Sequence, residues 1–230
     1  MRPAIIGICG AHSASGKTTY AALLLRNLRG WGAIKYTRTA LYSSIVDDSE
    51  ILSEKGKDTR IFLDAGAERV LWVQSPPSEL GEVLPLAVER LSDLKGIIVE
   101  GNSAVEFLRP DIIVFIFGSD PGEIKESARG LLEEADVIVT ESEASPVARE
   151  KVRSFCKSPE GKDLFIRYVR EMIERKEQIK SSLARNAVDG KISCPCARKI
   201  ARDLAVSDKE VGEVANKLGI KITDCELGCF

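Results

Sequence analysis

Apolar, β-branched runs of five to seven residues recur through the first two thirds of the chain, separated by stretches whose apolar positions fall three or four apart. The runs are Ile5 to Cys9, Gly32 to Thr37, Arg69 to Gln74, Gly96 to Glu100, Asp111 to Phe117 and Asp136 to Thr140. Each is short, nearly continuous in its hydrophobicity and bounded by turn residues, the pattern of a strand buried on both faces. Between or after them, Tyr20, Leu23, Leu24 and Leu28 have helical spacing, and helices are expected over Glu79 to Leu91, Pro121 to Ala135 and Ser145 to Phe155. Strand and crossover helix in alternation predict an α/β fold: a mainly parallel sheet, helices on both faces, and ligands at the carboxyl ends of the strands.

The alternation stops near Cys156. Ser158-Pro159-Glu160-Gly161 breaks the pattern before a long helix from Lys162 to about Ala187. Phe165, Val169, Met172, Ile179 and Leu183 form its apolar seam, interrupted by Lys176, and that seam can lie against the sheet or against a second copy. Asp189-Gly190 then turns the chain into two short helices, Cys196 to Leu204 and Asp208 to Leu218, the second opened by Ser207 and Glu210 at capping-box spacing. The expected organisation is a nucleotide-binding domain over 1–157, a linking helix over 158–188 and a small helical Cys-rich module over 189–230.

Composition adds little to the first domain and more to the tail. The chain has 230 residues, 44% hydrophobic and 30% charged, with a formal charge of -2. No apolar run approaches the ~20 residues of a membrane span and the N-terminus has no cleavable signal pattern, so a cytoplasmic protein with no membrane contact is expected. Residues 151–202 carry 14 Lys and Arg against 6 Asp and Glu. A basic stretch of this kind suits an anionic partner or is the solvated face of a long helix.

Ala11-His12-Ser13-Ala14-Ser15-Gly16-Lys17-Thr18-Thr19 joins the first strand to the first helix. In that context the spacing is that of a phosphate-binding loop. Backbone N–H groups cradle the phosphates, Lys17 reaches the outer oxygens, Thr18 ligates Mg²⁺, and the helix N-terminus adds partial positive charge. His12 lies where only backbone groups are required, so its ring is a spacer rather than an acid–base catalyst.

Such a loop needs a carboxylate to hold the metal or its water shell, usually at the end of a buried strand. Glu100 ends Ile97-Ile98-Val99 and precedes Gly101, whose flexibility allows backbone to approach a ligand. Asp58, in Gly56-Lys57-Asp58-Thr59-Arg60, is the second candidate for metal or catalytic work beside Lys17 and Glu100. It follows the polar stretch Ser43 to Lys55, long enough for a switch segment and equally readable as plain surface.

Taken in order, the loop, Gly56-Lys57-Asp58, Ala65-Gly66-Ala67 and Val99-Glu100-Gly101 resemble molybdopterin-guanine dinucleotide biosynthesis protein B, the MobB family of P-loop NTPases, over roughly residues 3–116. Ile34-Lys35-Tyr36-Thr37 is similar to that family's Ile-Lys-His-Thr with tyrosine for histidine, while Arg38 and Thr39 stand where later histidines are expected. Arg60 lies one place before the family's arginine. The resemblance implies a dimeric accessory that binds GTP with Mg²⁺, hydrolyses it weakly and assists a partner enzyme attaching GMP to molybdopterin. The loop also resembles dethiobiotin synthetase and the cobyrinate amidating enzymes, which implies an ATP-dependent ligase as the alternative. Asp136 to Ser142 lacks a clear Asn-Lys-x-Asp, so a choice between GTP and ATP is not legible there.

Cys194, Cys196, Cys225 and Cys229 cluster in the tail. Four thiolates suffice for tetrahedral Zn²⁺ or an iron–sulfur cluster if the tail folds back, and the alternatives are burial as small hydrophobes or redox pairing. Cys9 and Cys156 read as packing. Ala197 to Ile222 has the look of a helix-turn-helix, yet Asp208, Glu210 and Glu213 would oppose phosphates, which argues against DNA and for a docking or metal-sensing module, or a nucleotide-gated regulator.

Overall fold

The computed structural model describes residues 3–118, 124–141 and 153–224. It divides within the long helix into two units, Met1–Arg167 and Tyr168–Phe230.

In the first unit, β1 (Ala4–Gly10) is buried at every residue, as its unbroken apolar character requires. It is followed by α1 (Lys17–Asn27), β2 (Trp31–Arg38), β3 (Ser44–Val46), α2 (Ser49–Leu52), α3 (Asp58–Asp64), β4 (Val70–Ser75), a 3₁₀ turn at Pro77–Glu79, α4 (Leu80–Arg90), β5 (Gly96–Glu100), α5 (Asn102–Leu108), β6 (Ile112–Ile116), α6 (Glu126–Glu134), β7 (Val137–Thr140) and β8 (Arg153–Cys156). One eight-stranded sheet results, in the order β3-β4-β2-β5-β1-β6-β7-β8. All neighbours run parallel except β3 and β4.

From β1 the chain crosses to β2 on one side, and from β5 it crosses back over β1 to β6 on the other. That reversal opens a crevice at the carboxyl end of β1, where ligands of such sheets bind. The close crossing depends on Gly7: a Cβ there would lie 2.7 Å from both Val105 of α5 and Pro110. Ile5, Ile34, Leu71, Val73, Ile97 and Val99 pack with Leu84 and Leu91 in one buried cluster; Cys9, Phe115 and Ile138 pack with Val105, Leu131 and Leu132 in another. Burial pushes the Cys9 thiol up to about 12, consistent with an inert core residue.

All six expected strands are present. The helix expected over Ser145 to Phe155 is corrected at its described end: residues 145–152 lie outside the described residues, and Arg153–Cys156 is a strand paired with Val137–Thr140. Phe155 alone of its first three residues is buried, too short a pattern to fix a period, and pairing with the open edge of β7 decides the conformation. The edge strand β3 and helices α2 and α5 are additions that no periodicity signalled.

Helix α7 (Pro159–Asn186) starts three residues before the expected Lys162 because proline is accepted in a first turn, where its missing N–H is not needed. In the first unit its Phe165 meets Tyr20 of α1 edge-on at 5.1 Å and Phe155 at 6.0 Å. The second unit adds β9 (Lys191–Ser193), α8 (Cys194–Asp203), α9 (Asp208–Lys217) and β10 (Lys221–Thr223), with β9 and β10 parallel. Ile179 and Leu183 of α7 join Ile192, Ile200, Val211 and Val214 in its core.

The capping box of α9 is complete: Ser207 Oγ accepts from the Glu210 N–H at 3.2 Å, and a Glu210 carboxylate oxygen accepts from the Ser207 N–H at 3.1 Å. Ser207→Ala should cost about 1 kcal/mol. Amide hydrogen exchange is the measurement, with protection expected to fall first across the opening turn of α9. Among the described residues, no helix is long and apolar enough to cross a membrane.

Candidate functional site

The loop from Ala11 to Gly16 leaves the buried end of β1 and turns into α1. Ala14 (φ 59°) and Gly16 (φ 97°) both adopt the left-handed backbone conformation on either side of Ser15, which is fully buried. For alanine this costs roughly 1–2 kcal/mol, an outlay that alternating backbone of this type makes where N–H groups must line an anion-binding concavity. Lys17 Nζ arches back over the loop to donate to the His12 carbonyl at 2.7 Å and to Ser15 Oγ at 3.3 Å. Lys157, just beyond β8, donates to the Ser15 carbonyl at 3.0 Å and pairs with Glu141 at 2.6 Å. Lys125 Nζ reaches Ser13 Oγ at 3.5 Å. Three ammonium groups thus surround one short loop. Burial above all, with Lys35 and Lys125 adding to it against the pull of Glu100, holds the Lys17 amine below its usual range. A bound anion would relieve that crowding.

Glu100 closes β5 with its carboxylate 2% exposed. Thr18 Oγ1 donates to it at 3.0 Å, so the first turn of α1 and the end of β5 are tied together across the crevice. Lys35, from β2, donates to the other oxygen at 2.6 Å and pairs with Asp58 at 2.5 Å. Burial disfavours the Lys35 charge, but Glu100 and Asp58 outweigh it and raise the amine above its ordinary range. Asp58 arrives as the first residue of α3, presented by the turn at Gly56 (φ 90°).

The open cleft between these groups has a volume of about 460 Å³ and is lined by Ser13, Ala14, Gly16, Lys17, Thr18, Thr19, Lys35, Asp58 and Glu100. Residues distant in sequence, from the loop, β2, α3 and β5, are therefore gathered at one strand end. Thr18, Glu100 and Asp58 offer hard oxygen donors, and the Lys35 ammonium standing between the two carboxylates marks a place that takes positive charge. Magnesium fits that donor set, completed by phosphate oxygens. Among the described residues no three or more His, Cys, Asp or Glu side chains gather into a metal site of their own.

Three contributors escape a reading of motifs. Lys35 was legible only as part of a short resemblance, and its bridging position emerges from the pairing of β2 with β5, which sets it beside Glu100. Lys157 is brought in by β8. Asn102 follows Glu100-Gly101 and clamps the end of β1: its amide donates to the Gly10 carbonyl at 3.0 Å and accepts from the Gly10 N–H at 3.1 Å. Asn102→Ala would leave both backbone groups without that partner, and a loss of about 1–3 kcal/mol in stability is expected from urea unfolding.

Other candidates lie elsewhere. Tyr36, in the histidine position of the resemblance, donates its hydroxyl to the Ser75 carbonyl at 2.9 Å in the core, away from the cleft. Arg60 pairs along its own helix with Asp64. His12 Nδ1 lies 2.6 Å from the adjacent Ser13 carbonyl. In the second unit Cys194 and Cys196 are half-buried on the first turn of α8, while Cys225 and Cys229 lie outside the described residues. On α9, Glu210 lies 3.6 Å from Arg175 and Asp208 lies 3.5 Å from Arg198. Set against known proteins, the chain matches no family model and no curated sequence.

Proposed function

We propose that the crevice at the end of β1 binds a nucleoside triphosphate with Mg²⁺, and that the chain is a P-loop nucleotide-binding protein with weak NTPase activity. The observation that carries this reading is the meeting of the Lys17 loop with the Thr18–Glu100 pair at a topological switch point. Backbone N–H groups of residues 13–18 would hold the phosphates, Lys17 would neutralise their outer charge, and Thr18, Glu100 and Asp58 would hold the metal. The metal, when bound, offsets phosphate charge and polarises the terminal phosphoryl group.

On the resemblance carried by residues 3–116, its role is assistance to a partner enzyme in molybdenum or tungsten cofactor maturation, by a homodimer. The ATP-dependent ligase alternative draws support from a second cleft, sharing Lys35 and Asp58, that adjoins the first. Calorimetric titration with non-hydrolysable GTP and ATP analogues in the presence of Mg²⁺ separates the readings. Preference for GTP supports the accessory NTPase, preference for ATP moves the assignment to the ligase class, and binding of neither overturns the proposal.

A further inference from the structure

The second cleft is a distinct compartment of about 230 Å³, lined by Lys35, Thr37, Gly56, Lys57, Asp58, Thr59 and Trp72. Its size is below the ~300–1,000 Å³ of pockets for drug-sized ligands, which restricts it to a small molecule. Two lysines stand on its walls, each paired with a carboxylate, and the Asp58 carboxylate lines it as well. Lys57 Nζ lies 4.7 Å from the centre of the Trp72 ring and pairs with Glu54 at 2.8 Å. Lys35 is paired with Asp58 and Glu100. Thr37 Oγ1 accepts from Trp72 Nε1 at 3.0 Å, which leaves the hydroxyl hydrogen to donate into the cleft. Ammonium and hydroxyl donors on one small surface suit the oxygens of a carboxylate or a phosphate.

The two clefts meet at Lys35 and Asp58, so their occupancies cannot be independent. While Lys35 bridges Asp58 and Glu100, its charge is spent on them. Once those carboxylates turn to a divalent cation in the phosphate cleft, the Lys35 ammonium on the wall of the second cleft is released from them and can pair with an anion there. We propose that the cleft lined by Thr37, Lys57 and Trp72 is a second ligand site, for a small oxyanion, whose affinity is raised through Lys35 when Mg²⁺–nucleotide fills the first. The linkage rests on the nucleotide reading above; the oxyanion site itself does not. By reciprocity the oxyanion also tightens nucleotide binding by the same factor.

Trp72 is a built-in reporter, since the chain has two tryptophans and the other, Trp31, is buried in β2. In a Trp31→Phe background its emission should respond when an anion draws Lys57 from over the ring. Acetate and inorganic phosphate are the probes, with chloride at matched ionic strength as the control. With a saturating non-hydrolysable nucleotide and Mg²⁺, one of the two should shift the emission at a midpoint about tenfold lower than without nucleotide. Lys35→Gln should abolish that tenfold difference, and Thr37→Val should weaken binding in both conditions. Response to acetate alone assigns a carboxylate ligand, and response to phosphate alone a phosphate. A shift reproduced by chloride, or none with either probe, overturns the oxyanion site. A midpoint indifferent to nucleotide, or a difference surviving in Lys35→Gln, overturns the linkage. Calorimetry on the same samples keeps the two levels apart: absence of nucleotide binding refutes the nucleotide reading, and the nucleotide-free titration then decides the oxyanion site alone.

Discussion

Replacing Lys17 by alanine should weaken Mg²⁺–triphosphate binding about 100-fold, roughly 2.7 kcal/mol, while leaving the fold intact. The affinity loss follows from position: Lys17 Nζ lies across the loop on the His12 carbonyl and Ser15 Oγ, where the outer phosphate charge would sit. The intact fold follows from its electrostatics. Burial and the neighbouring Lys35 and Lys125 already lower its amine, so the protein carries a cost for that charge and alanine removes it. Calorimetry gives the affinity and a urea unfolding curve gives the control. Unchanged affinity in a folded variant would overturn the assignment of the loop, because Lys17 is the described residue whose ammonium lies across it on both the His12 carbonyl and Ser15 Oγ.

The second large effect concerns the Thr18–Glu100–Lys35–Asp58 chain. Glu100→Ala should destabilise the first unit by about 3 kcal/mol, because it strips a largely buried ammonium of its buried carboxylate partner. Lys35→Met should also be costly, since the buried Glu100 carboxylate keeps the Thr18 hydroxyl at 3.0 Å but loses its ammonium partner. Combining Glu100→Ala with Lys35→Met should restore part of the loss, as apolar replacement of a buried pair commonly does. Both tryptophans lie on strands of this unit, so fluorescence-detected urea unfolding reads the right transition. Single-variant costs that simply add would mean that the two side chains are not coupled and that Lys35 holds no stable place between the carboxylates. The Glu100 variants should also lose the Mg²⁺ dependence of nucleotide binding.

The regular part of this molecule was written in its hydrophobic periods. Six strands, the first helix, the long helix and both tail helices could be located from spacing alone, since buried parallel strands have no polar face to disguise them. The loop between β1 and α1 could be singled out as well, because Ala11 to Thr19 has the order of residue types expected of a phosphate-binding turn. Glu100 could be singled out as a carboxylate at the end of an apolar strand, and Asp58 as the opening of a short helix after glycine.

What the sequence could not supply was adjacency. Strands β1 and β5 are hydrogen-bonded neighbours although some 90 residues of chain separate them, and only that pairing brings Glu100 to Thr18. The register of β2 on β5 places Lys35 opposite Glu100, so a lysine noted only within a short resemblance lines both clefts. Arg153–Cys156 became a strand because the edge of β7 offered it main-chain partners, and Lys157 came to the loop with it. Local pattern determined which segments are helix, strand and connecting loop, because those depend on residues within a few positions of one another. Tertiary structure decided which charges share the crevice, because that depends on strand order and register, which no local period encodes.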